Sequence, residues 1–137
     1  MSVRKGDQDN GDLQVINKAK DLFAYTYDKC VSKTFPKSER FLLTKAIFDE
    51  VSHAHGKIIR ANRIKVTNKN EAEARILLEE EAIGHLDELC YLIDAAHTAN
   101  KITDAQAEYW SGLATGTQDI ALKWVKSQRE QYKEYLK

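Results

Sequence analysis

The chain predicts an all-α domain, an up-down-up-down four-helix bundle. One proline and six glycines in 137 residues leave little punctuation, which favours few, long elements. Apolar residues recur at three- and four-residue steps through four long stretches, and none shows the strict alternation of a half-buried strand. The length suits one core, closed without metals or disulfides.

Residues 1–11 are charged and glycine-containing with nothing to bury, so they read as a disordered arm before a domain at 12–137. Asp12 is positioned to cap helix 1, whose stripe is Ile16, Ala19, Phe23, Tyr27, Cys30 and Thr34. Phe35-Pro36 ends that helix, because proline cannot continue the hydrogen-bond ladder and drives the preceding residue out of helical geometry.

Helix 2, capped at Ser38 and running to about Val66, carries two stripes. Leu43, Ile47, Val51, Ala54, Ile58 and Ala61 form a core seam. Phe41, Phe48, Ile59 and Val66, with His55, fall farther round, where an isolated bundle exposes them to water. A subunit interface accounts for them; a broad core face with a few surface apolar residues is the alternative.

Asn70 with Glu73 forms an Asn capping-box pattern opening helix 3. Its core side reads as Ala74, Leu78, Ala82, Leu89, Ile93 and Ala96, beside a second stripe of Ile76, Ile83, Cys90 and His97. Thr103-Asp-Ala-Gln106 is a regular capping box for helix 4. Tyr109, Leu113, Ile120 and Trp124 are its expected core, and Trp110, Ala114, Ala121, Val125 and Tyr132 its second stripe.

Lysine and arginine number 21 and aspartate and glutamate 21, so total charge gives no case for nucleic-acid binding and distribution must decide. Lys57, Arg60, Arg63, Lys65 and Lys69 form an acid-free run. Helix 3 reverses the sign with Glu71, Glu73, Glu79, Glu80, Glu81, Asp87, Glu88 and Asp94 against Arg75 alone. Helix 4 ends basic with Lys123, Lys126, Arg129, Lys133 and Lys137. In the expected topology the ends of helices 2 and 4 share one end of the molecule, so their cations could form a phosphate-binding patch. Dipole complementation on a solvated face is the other reading.

Two fragments imitate dimetal-bundle ligands, Glu50-x-x-His53 and Asp94-x-x-His97. Antiparallel pairing about residue 68 places Asp94 opposite residue 42, about 12 Å along the axis from Glu50, so the fragments do not meet and no metal site is expected. No Gly-rich phosphate loop, nucleophile elbow or Cys/His pairing is present, so catalysis has no candidate residues and no cofactor is implied. Cys30 and Cys90 read as core thiols. With no apolar signal segment and no run of about 18 apolar residues, the expectation is a soluble, cytoplasmic protein with no membrane role.

The Phe35-Pro-Lys-Ser-Glu-Arg-Phe41 entry to helix 2, the long helix 3 and the Ile120-Ala-Leu-Lys-Trp124-Val-Lys-Ser127 segment resemble a four-helix-bundle family. That family comprises proteins of 23S rRNA intervening sequences and the accessory variability determinant (Avd) proteins of diversity-generating retroelements. The intervening-sequence branch carries an Asn-Ile-Ala-Glu-Gly-like signature late in helix 2. This chain has Ile58-Ile-Arg-Ala-Asn-Arg-Ile64 there and looks closer to the Avd branch.

The resemblance implies a ring-shaped homopentamer without enzymatic activity, which binds RNA or DNA and assists a reverse transcriptase in mutagenic retrohoming. The expected nucleic-acid contacts are Lys57, Arg60, Arg63, Lys65, Lys69, Lys123, Lys126, Arg129 and Lys133. The expected oligomer interface is Phe41, Phe48, Ile59, Val66, Ile76, Ile83, Trp110 and Val125. Avd proteins tend to be strongly basic, whereas this chain is neutral. The competing class is a protein-interaction module without a nucleic-acid role.

Overall fold

The computed structural model describes residues 5–32 and 34–137, with side chains from residue 11 onward except at 39–41. Helices are α1 (Lys5–Val31), α2 (Lys45–Arg63), α3 (Lys69–Thr98), α4 (Asp104–Gln131) and a short α5 (Lys133–Leu136); there is no strand among the described residues. A 3₁₀ turn, Lys37–Glu39, and a π-helical turn, Arg40–Thr44, lead into α2. The domain is thus an all-α helical bundle, as the periodicity predicts.

Four helices form a closed square in which α1 packs on α2 and α4, and α3 packs on α2 and α4. At one end the start of α1 (Asp12), the end of α2 (Asn62, Ile64), the start of α3 (Arg75) and the end of α4 (Gln128) meet through hydrogen bonds to Arg75. That meeting fixes the up-down-up-down order.

Local boundaries depart from expectation at three places. Backbone from Lys5 is helical, so α1 begins seven residues before Asp12, while residues 1–4 of the expected arm lie outside the described residues. Asp12 is therefore no cap; its carboxylate accepts from Trp124 Nε1 at 2.8 Å and Arg75 Nη2 at 3.3 Å. Regular α2 begins only at Lys45, after the π turn, and stops at Arg63, where Ile64 adopts extended backbone. The α3 cap is Asn68, not Asn70: its side chain accepts from Glu71 N at 2.9 Å, and Glu71 in turn accepts from Thr67 N at 2.9 Å. The Thr103–Gln106 capping box forms as predicted, with both reciprocal bonds present.

The seam of α2 is as read, with Ile47, Val51, Ala54, Ile58 and Ala61 buried and Leu43 half-buried against the core. On α4 Trp124 is core as expected and Leu113 and Ile120 are half-buried against it, but the centre of the seam shifts toward the second stripe. Trp110, Ala114, Ala121, Trp124 and Val125 are buried, while Tyr109 is 58% exposed. Alanines on that face let α1 and α4 approach, and Trp110 Nε1 finds a partner there in Thr26 Oγ1 at 3.0 Å. On α3, Ile76 is buried and Ala74 exposed, because the seam runs through Ala72, Arg75, Ile76, Glu79, Ala82, Leu86, Leu89, Ile93 and Ala96.

These burials correct part of the expected oligomer interface. Ile76, Trp110 and Val125 belong to the protomer's own core and present almost nothing to a second copy. Phe48 is half-buried, its ring 5.5 Å from Phe23 and 6.1 Å from Tyr27 of α1. Helix α1 thus covers much of the stripe that an idealised α2 would expose. Ile59, Val66 and Ile83 are also half-buried. The Phe41 side chain lies outside the described residues.

Candidate nucleic-acid interface and a histidine-carboxylate cluster

The end face where α2 and α4 finish is built around Arg75. Its side chain is buried, donating to Gln128 Oε1 at 2.6 Å, Ile64 O at 3.1 Å, Asn62 Oδ1 at 3.1 Å, Asp12 Oδ1 at 3.3 Å and Glu79 Oε2 at 3.2 Å. The Tyr132 ring stacks over the guanidinium at 5.7 Å. An arginine fork suits this task because its donors lie in one plane and can bind several helix ends together. Glu79 is fully buried, and desolvation, opposed by Arg75, pushes its carboxyl up to about 8. Arg75 and Glu79, which the sequence reading counts among surface charges, are therefore interior groups.

Around this plug the predicted cations divide in two. Lys57 pairs with Glu81 at 3.1 Å, Lys69 with Glu73 at 3.8 Å, Lys133 with Glu130 at 2.8 Å, and Arg129 with Glu80. Arg60, Arg63, Lys65, Lys123 and Lys126 are exposed and make no ion pair among the described residues. The bundle topology brings the α2 and α4 cations to one end, but on diagonal corners, with the starts of α1 and α3 between them.

A second constellation lies on the outer side of the α2/α3 pair. Glu50 and His53 are one turn apart on α2, and His85 and Glu88 one turn apart on α3. His85 Nδ1 is 2.7 Å from Glu50 Oε2, and the rings of His53 and His85 are 5.1 Å apart. One ligand atom from each of Glu50, His53 and His85 lies within 4.8 Å of the other two. Glu88 is in hydrogen-bond contact with Glu50, and that shared contact raises its carboxyl above the ordinary value. As the sequence predicts, Asp94 and His97 do not join this group; His97 Nε2 instead bonds Asp104 at 2.6 Å.

His85 and Glu88 are the residues that reading by helix faces misses. The signal was available in the antiparallel register: Lys57–Glu81, His53–His85 and Glu50–Glu88 are rungs placed symmetrically about Lys69, where α3 begins.

Neither cysteine adds a nucleophile to these sites. Cys30 donates to Thr44 O at 3.7 Å and burial pushes its thiol up to about 11, while Cys90 is also raised by burial. No helix among the described residues is long and apolar enough to cross a membrane. Comparison of the chain with protein-family models, curated proteins and solved structures finds no match.

Proposed function

We propose that this chain is a non-enzymatic cytoplasmic scaffold that self-associates and presents cationic surfaces to nucleic acid and to a reverse transcriptase. In this reading it acts as an Avd-like accessory protein of a diversity-generating retroelement. The observation that carries the reading is the set of exposed cations Arg60, Arg63, Lys65, Lys123 and Lys126, which make no ion pair among the described residues and lie toward one end of the bundle. Exposed arginine and lysine toward the C-terminal ends of α2 and α4 suit phosphate contacts, which gain affinity by releasing counterions. A homopentamer would repeat the patch around a ring and raise its effective concentration toward one RNA.

Half-buried Phe48, Ile59, Val66 and Ile83 remain as apolar surface for assembly, together with exposed Leu77 and Tyr91 on α3. The acid-rich outer face of α3 would meet a basic surface of the next subunit, as a head-to-tail ring requires two different complementary patches.

A second reading, a protein-interaction module with no nucleic-acid role, draws on the ion pairs that neutralise Lys57, Lys69, Arg129 and Lys133. Light scattering and gel shift at low salt separate the two. The scaffold reading expects an oligomer at tens of micromolar, roughly the range of weak association, that shifts structured RNA. A monomer overturns the assembly claim, and an oligomer that leaves RNA unshifted leaves the interaction module.

A further inference from the structure

We propose that Glu50, His53 and His85 form a binding site for a divalent transition-metal ion of the Zn²⁺ class, with Glu88 as a second carboxylate beside them, clamping α2 to α3. Two neutral imidazoles and a carboxylate are the donor set that Zn²⁺ takes when it keeps one position for water. The three ligand atoms already lie within 4.8 Å of one another. Ligand atoms on a tetrahedral ion with bonds of about 2.0–2.1 Å stand about 3.3 Å apart. Glu50 and His85, now at 2.7 Å, need therefore open by only about half an ångström, within reach of a side-chain adjustment.

The facing groups are only partly complementary as they stand. His85 bonds Glu50, but His53 faces the His85 ring and Glu88 lies against Glu50, so a histidine pair and a carboxylate pair remain across the two helices. The next rung, Lys57 with Glu81, shows the complementary arrangement an ordinary helix contact uses. A cation at the first two rungs gives the carboxylates a counter-charge and the imidazole nitrogens a shared acceptor of their lone pairs. Glutamate and histidine spaced i, i+3 on α2, met by histidine and glutamate spaced i, i+3 on α3, bring four side chains to one level of two rigid helices. Mg²⁺, which favours an octahedral shell of oxygens, is a poor match to this donor set.

The test titrates chelator-treated full-length chain with CoCl₂, reading the visible d–d bands, and with ZnCl₂, reading thermal unfolding by circular dichroism. One Co²⁺ per chain with the intense bands of a four-coordinate site is expected, displaced by Zn²⁺. Saturating Zn²⁺ should raise Tm by roughly 5 °C, and MgCl₂ should leave it unchanged. His53→Ala and His85→Ala should each weaken Co²⁺ binding at least tenfold, whereas His97→Ala, at the distant Asp104 contact, should not. His53 is exposed, so His53→Ala keeps the test valid if His85→Ala folds poorly. No visible bands at millimolar Co²⁺, or equal affinity in His53→Ala, would overturn the site. Binding of one ion per two chains with concurrent dimerisation would overturn it equally, as an ion bridging copies.

Discussion

Arg75 and Glu79 sit one turn apart on α3, Nε to Oε2 at 3.2 Å, with both side chains inside the bundle. One oxygen of the pair, Glu79 Oε1, has no hydrogen-bond partner. A carboxylate so placed is under-solvated, and the neutral acid is the form that the interior favours.

Stability should therefore fall as pH rises through the window between 4.5 and about 8. Below 4.5 Glu79 is protonated in both folded and unfolded chains. Inside the window the unfolded chain releases the proton while the folded chain keeps it, so the unfolded state gains. Glu71, held low by its Thr67 hydrogen bonds, acts in the opposite direction and only below its ordinary 4.5. Urea midpoints across pH 5–8 should report a decline of about 1–3 kcal/mol. Glu79→Gln should flatten that slope; an unchanged slope places the linkage elsewhere.

Thr26→Val leaves the buried Trp110 indole N–H without its partner while preserving shape. A loss of about 1–3 kcal/mol in the denaturant midpoint is expected. A neutral result would mean that Trp110 finds another acceptor.

Thr103→Ala removes the side-chain half of the α4 capping box. About 1 kcal/mol of stability should go with it. Asn100, whose φ of 59° is left-handed, sits just ahead of this cap; Asn100→Gly should be neutral or stabilising by thermal melt.

Phe48→Glu is expected to lower protomer stability by about 2 kcal/mol, since its ring packs on Phe23 and Tyr27. The measurement is chemical denaturation at submicromolar protein, where a weak oligomer dissociates. A variant as stable as the parent there would return Phe48 to a purely intersubunit role.

Among the predicted nucleic-acid contacts, charge pairing should rank the effects. Alanine at Arg60, Arg63, Lys123 and Lys126 together should reduce RNA affinity at low salt by more than tenfold. It should also flatten the salt dependence by about three in log–log slope. Alanine at Lys57, Lys69 and Lys133 should do far less, because each already faces a carboxylate. Equal losses from both sets, read by gel shift, would mean that the ion pairs break on binding.

The sequence by itself determined the four long helices, a chain break ahead of Pro36, the α2 seam and the Thr103 cap, because these follow from spacing and local hydrogen bonding. It placed Ala82, Leu89, Ile93 and Ala96 of α3 correctly but misread its first turns, where Arg75 and Glu79 stand on seam positions: a hydropathy stripe passes over charged residues, and only a plug shared by four helix ends makes their burial tolerable. On α4 either of two apolar stripes satisfied the period. Tertiary contact chose the one whose alanines admit α1 and whose Trp110 reaches Thr26, 84 residues away. The same holds for His85 against Glu50 and for the pairing of Lys57 or Arg129. Period along one helix fixes which side chains share a face, but the register between helices fixes which of them meet.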